Sequence, residues 1–287
     1  MEQTKVNTIL VPTDFSDVAS NALDHAIAVA TTFKNNISLL HVMEDGVLGN
    51  IIKKSYDTIV QEAIQMKLDG LVLKCESMGI KATTHQKHGK IYKTIAETAT
   101  ELGCDSIIMG THGASGIETI IGSNASRVIS VSDVPVIVIK EKSSKKDYQN
   151  IVFPLDLTLE SKQKVKWAVH LAKYYKSTIH ISTFHESDEF LRNRIVANLH
   201  QVEAIFRENK IEFTSKELND SGNYADQTIA YAESINADLI IIMTQQDTGI
   251  SEFFLGSYAQ QIVNRASTVP VMCCNPRETG FTYEYVG

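Results

Sequence analysis

The 287-residue chain states one pattern twice, and that repetition limits its possible folds more than any other feature. Residues 109–123 read MGTHGASGIETIIGS and residues 243–257 read MTQQDTGISEFFLGS, with 13 positions from Met109 to Gly122 and from Met243 to Gly256. Gly122-Ser123 is matched by Gly256-Ser257, and Val134-Pro135-Val136 by Val269-Pro270-Val271. In this alignment Gly110 and Gly113 face Thr244 and Asp247. Glycines in a strand-to-helix loop let backbone N–H groups approach an anion closely. Two like domains with unlike chemistry are expected.

Each copy runs through the same series of elements. A short apolar run ending in proline opens it, Thr8–Pro12 in the first and Asn150–Pro154 in the second. Such runs predict strands buried on both faces. Helices are expected over residues 16–33, capped by Ser16, and over 159–175. Second strands follow at Ile37–Val42 and Ile179–Phe184, then longer helices over 51–78 and 190–209. Third strands fall at 81–87 and 212–218, helices at 91–102 and 225–235, and fourth strands at 105–109 and 238–243. A helix and a last strand, Val134–Ile139 or Val269–Cys273, close each copy. Strands alternating with helices imply right-handed βαβ crossovers and a parallel sheet. The expected architecture is α/β: two tandem Rossmann-like domains, each an open five-stranded parallel sheet with helices on both faces. The domains are residues 1–142 and 150–276, joined by a polar linker at 143–149 and followed by a tail at 277–287. The first copy is longer by eight residues between its second strand and third helix, near Asp45–Lys54.

Composition narrows the class. At 43% hydrophobic and 21% charged the chain reads as a globular protein, and no stretch approaches the roughly 18 apolar residues of a membrane span. The N-terminus lacks a basic region followed by an apolar core, so a cytoplasmic location is expected. Net charge is −7 and evenly spread, with 13 Lys/Arg against 16 Asp/Glu in residues 1–144 and 12 against 17 in residues 149–287. That balance argues against nucleic acid and membrane surfaces as partners. Cys75, Cys104 and the adjacent Cys273-Cys274 have neither metal-ligand nor disulfide spacing, since neighbours on a strand point to opposite faces. His85 and His88, three apart on a strand, are likewise poorly placed to share a metal.

In an open doubly wound sheet, ligands bind outside the carboxyl ends of the strands where strand order reverses. The loops after the first and fourth strands are therefore the candidates. In the first copy Gly110-Thr111-His112-Gly113 follows the fourth strand and Gly122-Ser123 opens the next helix, whose free N–H groups and dipole favour an anion. Asp14, at the end of the first strand, faces the same crevice and suits a ribose hydroxyl or a Mg²⁺. A tight loop and a helix cap are the alternative roles for these residues. The loop is neither a Walker A sequence nor a first-turn G-x-G-x-x-G. His112 and His41 read as structural or solvent-facing rather than catalytic.

ILVPTDFS, ISLLHV, DSIIMGTHGASG with its following GS, and VPVIVIK together resemble the universal stress protein family, across residues 5–140 and again, more weakly, across 150–275. The resemblance implies the tandem, two-domain type. It implies that ATP or a related adenine nucleotide, possessing adenine and ribose contacts at Pro12, Thr13, Asp14 and Val42, has its phosphates at Gly113, Gly122, Ser123 and Asn124. Met109, Gly110 and His112 belong to the same strand and loop. The family's nucleotide-binding members carry G-x2-G-x9-G-[S/T]; here eight residues separate Gly113 from Gly122, one fewer. In the second copy a carboxylate at Asp247, about 5 Å from a phosphate charge, would cost about 3 kcal/mol at an effective dielectric near 20. No ATP is expected there. Three functions follow: a nucleotide-binding stress regulator without efficient turnover, a nucleotide-free interaction scaffold, or a slow ATP hydrolase or ligase relative. The apolar last strands would sit at sheet edges and invite pairing, as a homodimer or as an internal pseudo-dimer of the two halves.

Overall fold

The structure, a computed structural model, describes residues 7–44, 53–111, 122–140, 148–158, 160–219, 223–244, 257–266 and 268–276. The first half holds β1 (Thr8–Pro12), α1 (Asp17–Phe33), β2 (Asn36–Met43), α2 (Lys53–Ser77), β3 (Ala82–His88), α3 (Ile91–Glu101), β4 (Ser106–Gly110), α4 (Ser123–Val131) and β5 (Val136–Ile139). The second holds β6 (Asn150–Pro154), a 3₁₀ turn (Glu160–Lys162), α5 (Val165–Tyr175), β7 (Thr178–Phe184), α6 (Glu189–Glu208), β8 (Phe213–Leu218), α7 (Tyr224–Ser234), β9 (Leu239–Met243), α8 (Ser257–Arg265) and β10 (Val271–Cys274).

The two five-stranded parallel sheets do not stop at their last strands. β5 and β10 pair antiparallel, with Ile137 opposite Met272, and the result is one ten-stranded sheet in the order β3-β2-β1-β4-β5-β10-β9-β6-β7-β8. One edge of each half, β5 or β10, is thereby used up inside the chain, which is the internal pseudo-dimer arrangement, and β3 and β8 remain the edges of the joined sheet. Strand alternation sends Ile9, Val11, Ile137 and Ile139 to one face and Leu10, Val136 and Val138 to the other. Each face carries an apolar layer containing residues of both halves. Cys273 and Cys274 obey the same rule: they lie in opposite layers as buried free thiols, and burial raises the pKa of both.

Side chains reinforce the seam. Lys140, just past β5, donates from Nζ to the Asn264 carbonyl in the last turn of α8 at 2.5 Å. Asn275, just past β10, donates from Nδ2 to the carbonyls of Ile129 and Ser132 at the end of α4, at 2.6 and 2.9 Å. Each half thus satisfies terminal carbonyls of the other half's helix, groups that a helix cannot pair internally. On the opposite face Phe33 of α1 packs against His170, Tyr174 and Tyr175 of α5.

Strand register corrects the repeat alignment by one residue. β1 and β6 superpose Leu10 on Val152, and these pair with Ile107 and Ile240 respectively. Asp105 and Asp238 occupy one position as well, each accepting from the first amide of the neighbouring strand, Thr8 N or Asn150 N, at 2.8 Å. Gly110 is therefore the counterpart of Met243, not of Thr244, and Thr111 is the counterpart of Thr244. Thr111 N donates to Ile139 O just as Thr244 N donates to Cys274 O. Since Ser123 and Ser257 both open their helices, the first loop is one residue shorter than the second.

A second difference concerns α5. The pattern predicts a helix from residue 159, but the regular helix starts at Val165. Asp156 Oδ1 accepts from the Thr158 amide and hydroxyl (2.8 and 2.6 Å), and Thr158 Oγ1 accepts from Ser161 N at 3.1 Å. This local network favours a 3₁₀ turn over the first helical turns.

Candidate functional site

The strand order reverses between β1 and β4, and there a crevice of about 310 Å³ opens at their carboxyl ends. It lies at the lower end of the ~300–1,000 Å³ typical of small-molecule sites. Pro12, Thr13 and Asp14 enter it from β1, Val42 from β2, Met109 and Gly110 from β4, and Gly122, Ser123 and Asn124 from the start of α4. Nine of the eleven predicted residues therefore share one cavity; His112 and Gly113 lie outside the described residues. His41, Thr111, Ile91 and Ile95 also line it. The first two could be read from their places beside Val42 and Gly110, and the isoleucines from their spacing at the start of α3.

Each wall has a local cause. Thr13 N donates to Leu40 O at 2.8 Å, which ties the end of β1 to β2. Thr13 Oγ1 accepts from Phe15 N and Asp14 Oδ1 from Ser16 N, both at 3.0 Å, which turns the chain sharply into α1. The turn holds Phe15 at φ 65°, a left-handed conformation uncommon for a bulky residue. The Phe15 ring stacks on His41 at 4.9 Å, and His41 Nδ1 donates to the Thr13 carbonyl at 2.7 Å. Ser16 then caps α1 by accepting from Ala19 N.

The fourth-strand side is shaped for an anion. Gly122 N donates to Thr111 O at 2.8 Å and brings the two ends of the 112–121 loop together. Gly122 caps α4 without a side-chain bond, and the first turn of the helix holds no acidic residue. The earliest intrahelical bond is Ser126 N to Gly122 O. The N–H groups of Ser123, Asn124 and Ala125 thus have no intrahelical acceptor and sit at the positive end of the helix dipole. Gly110 has a different role from the one read in the sequence. A Cβ there would meet Val18 Cγ1 at 2.7 Å and the Val18 carbonyl carbon at 3.2 Å. The close crossing of α1 over β4 requires a glycine there whatever the crevice holds.

The second half fills the corresponding space with its own side chains. Tyr224 opens α7 where Ile91 opens α3. Its hydroxyl donates to Ser182 O at 2.7 Å and lies 3.4 Å from Leu155 O. Those carbonyls correspond to Leu40 and Thr13, which line the first crevice. The Tyr224 ring packs on Phe184, the counterpart of Val42, and stacks on Tyr258, the counterpart of Asn124, both at 5.1 Å. Burial raises the pKa of both tyrosine hydroxyls.

Asp156, the counterpart of Asp14, is engaged by Thr158, and beside it stands a cation of the chain's own. Lys164 is 1% exposed, where the first half has Ala22, and donates to Ser161 O and Oγ at 2.8 and 2.9 Å. Burial lowers its pKa to about 8, against the opposing pull of Asp156. Counted from the strand end Gln246 matches Gly113, and counted from the helix starts Asp247 does; the repulsion expected from Asp247 concerns residues outside those described. Among the described residues, occupation by Tyr224 and Tyr258 is what distinguishes the second half from the first.

Fold and site together define a tandem, doubly wound α/β protein with one open switch-point crevice and one filled counterpart. The model of the Universal stress protein family matches residues 5–140 and again residues 147–275, and the chain belongs to that family. Universal stress protein MJ0577 of Methanocaldococcus jannaschii is 32% identical over 157 residues, covering 47% of this chain and 96% of the relative. Universal stress protein YxiE of Bacillus subtilis is 30% identical over 146 residues, covering 47% and 99%. A solved universal stress protein from Archaeoglobus fulgidus superposes over 95% of this chain and 97% of its own, with a TM-score of 0.77 at 24% identity. That likeness shows the two-half fold. Among the described residues no helix is long and apolar enough to cross a membrane, and no cluster of three or more His, Cys, Asp or Glu could hold a metal.

Proposed function

We propose that this protein is a cytoplasmic stress-response regulator whose first half binds ATP or a related adenine nucleotide and whose second half does not. The observation that carries the reading is the crevice itself: a cavity at the switch point ends on the uncapped N-terminus of α4. The triphosphate would lie against the N–H groups of Ser123 to Ala125, with Ser123 adding a hydroxyl, and Gly113 beside them. The sugar would lie against Asp14, and the base between Val42 and Ile91. Mg²⁺ would be held by Asp14 and the phosphates, since Asp14 is the one carboxylate among the described lining residues. The adenine preference rests on family membership, the phosphate end on geometry.

Efficient turnover is not part of the proposal. Asp14 already accepts from Ser16 N. The other titratable group of the described lining, His41, has its Nδ1 engaged by the Thr13 carbonyl and its ring stacked on Phe15, so no free acid–base pair stands ready to activate a water. A nucleotide-free scaffold is the second reading, favoured by the first loop being one residue shorter than its counterpart. Denaturing the purified protein and chromatographing the released small molecules separates the two. Adenine nucleotide recovered near one per chain, with negligible phosphate release on incubation with Mg-ATP, supports the sensor. Protein that carries none and takes none up supports the scaffold.

A further inference from the structure

α2 presents a seam to solvent that the fold does not use. Its inner face packs on the sheet through Leu68 and Cys75, both fully buried. On the outer face Ile59, Met66 and Leu73 recur every seven residues and are 66%, 76% and 67% exposed. Ala63, Gly70 and Ser77 alternate with them and are exposed as well. Large residues at one heptad position and small ones at the other form a stripe about 27 Å long along the 18-residue rise from Ile59 to Ser77. A Cβ added at Gly70 would have no neighbour within 4 Å, so the stripe is open at its middle.

The stripe is not a general property of a helix in this place. Counted back from the helix ends, the outward face of α6 offers Arg194, Gln201 and Glu208 at the positions of Ala63, Gly70 and Ser77. Contiguous exposed apolar surface of this kind marks an interaction site.

Charge on the two flanks selects the occupant. Glu62, Asp69 and Glu76 border the stripe on one side, and Lys67 and Lys74 on the other. In a parallel helix pair the acidic border of one copy faces the basic border of the other, five residues further on: Glu62 to Lys67 and Asp69 to Lys74. In an antiparallel pair like charges would meet. The lysines keep intramolecular partners, Lys74 with Asp24 at 2.5 Å and Lys67 over the Phe15 ring at 5.0 Å. Their charges therefore set orientation more than affinity. The geometry points to α2 as the seam of a parallel, two-fold homodimer, with Ile59, Met66 and Leu73 each meeting the same residue of a second copy. Such an interface is isologous and closes on itself. It is independent of nucleotide binding, and it uses neither β5 nor β10, which are already paired.

Sedimentation velocity of the full chain over about 1–200 µM tests the proposal, with dimer expected to accumulate as concentration rises. Met66→Lys is expected to stay monomeric at the same melting temperature, because that side chain is 76% exposed. Orientation is read by oxidative cross-linking of Ile59→Cys, whose new thiol meets its own copy in a parallel pair. The native cysteines are buried and do not compete. A wild-type chain that stays monomeric at 200 µM overturns the proposal, including the case where it binds anionic vesicles instead. A dimer that survives Met66→Lys overturns it too. Cross-linking that occurs only between Ile59→Cys and Leu73→Cys chains overturns the parallel arrangement.

Discussion

Asn124→Asp separates a phosphate site at α4 from an ordinary helix start, because the two readings give this substitution different consequences. Asn124 lines the crevice in the first turn of α4, where no acidic residue now stands. In the free protein the new carboxylate meets the positive end of the helix dipole and is expected to stabilise the fold by about 0.3–1 kcal/mol. With nucleotide bound, the same carboxylate would lie about 5 Å from a phosphate charge. At an effective dielectric near 20 that repulsion is about 3 kcal/mol, a loss of more than a hundredfold in affinity. Both effects shrink as ionic strength rises, since Asn124 is only half-buried. The assay is calorimetric titration with Mg-ATP beside thermal unfolding of the free protein, at low and at moderate salt. A variant more stable when free and at least tenfold weaker for ATP fits the account. Unchanged ATP affinity in a wild type that binds would refute the placement of the phosphates at α4.

Tyr224→Ile with Tyr258→Asn gives the second half the residues of the first. The pair should cost about 3–5 kcal/mol through lost packing, measurable in chemical denaturation, and should open the second crevice, read as weak uptake of nucleotide beyond one per chain. Stoichiometry fixed at one would contradict occupation by the tyrosines as the difference between the halves. Asn275→Ala removes both bonds to the carbonyls at the end of α4. A loss of about 1–3 kcal/mol is expected, with faster amide exchange in the last turn of α4, and unchanged exchange there would contradict a capping role. Lys164 sets a pH dependence. Its folded pKa of about 8 lies below the ordinary 10.5, so between these values the unfolded chain binds more protons and stability rises with pH. Below about pH 8 the cost of the buried charge is fully present. Lys164→Met should therefore be more stable than wild type at pH 7, with the gap closing as the pH rises past about 8 in denaturation curves.

Strands were the most legible part of the fold, because runs such as Thr8–Pro12 and Asn150–Pro154 are apolar on both faces and end in proline. The crevice was nearly as legible, since Asp14 and Gly122-Ser123 end a strand and open a helix where a doubly wound sheet binds ligands. The register was not. Met109 and Met243 pair well by eye, but the true equivalence is carried by Asp105 and Asp238, whose bonds to Thr8 and Asn150 span about 90 residues of sequence. Gly110 misled for a similar reason: its constraint comes from Val18, on another element. The filling of the second crevice was equally hidden, because Tyr224 and Tyr258 meet only through the fold, and the late start of α5 depends on one Asp–Thr–Ser network. Contacts between distant segments decided the register, the role of Gly110 and the filled second crevice, while the late start of α5 turns on a local side-chain network.

Equilibrium titration of the intact protein with Mg-ATP, beside Asp14→Ala and Gly113→Asp, tests the central claim most directly. The account predicts one nucleotide per chain, with binding lost in both variants. No binding at millimolar Mg-ATP, or two nucleotides per chain, would contradict it.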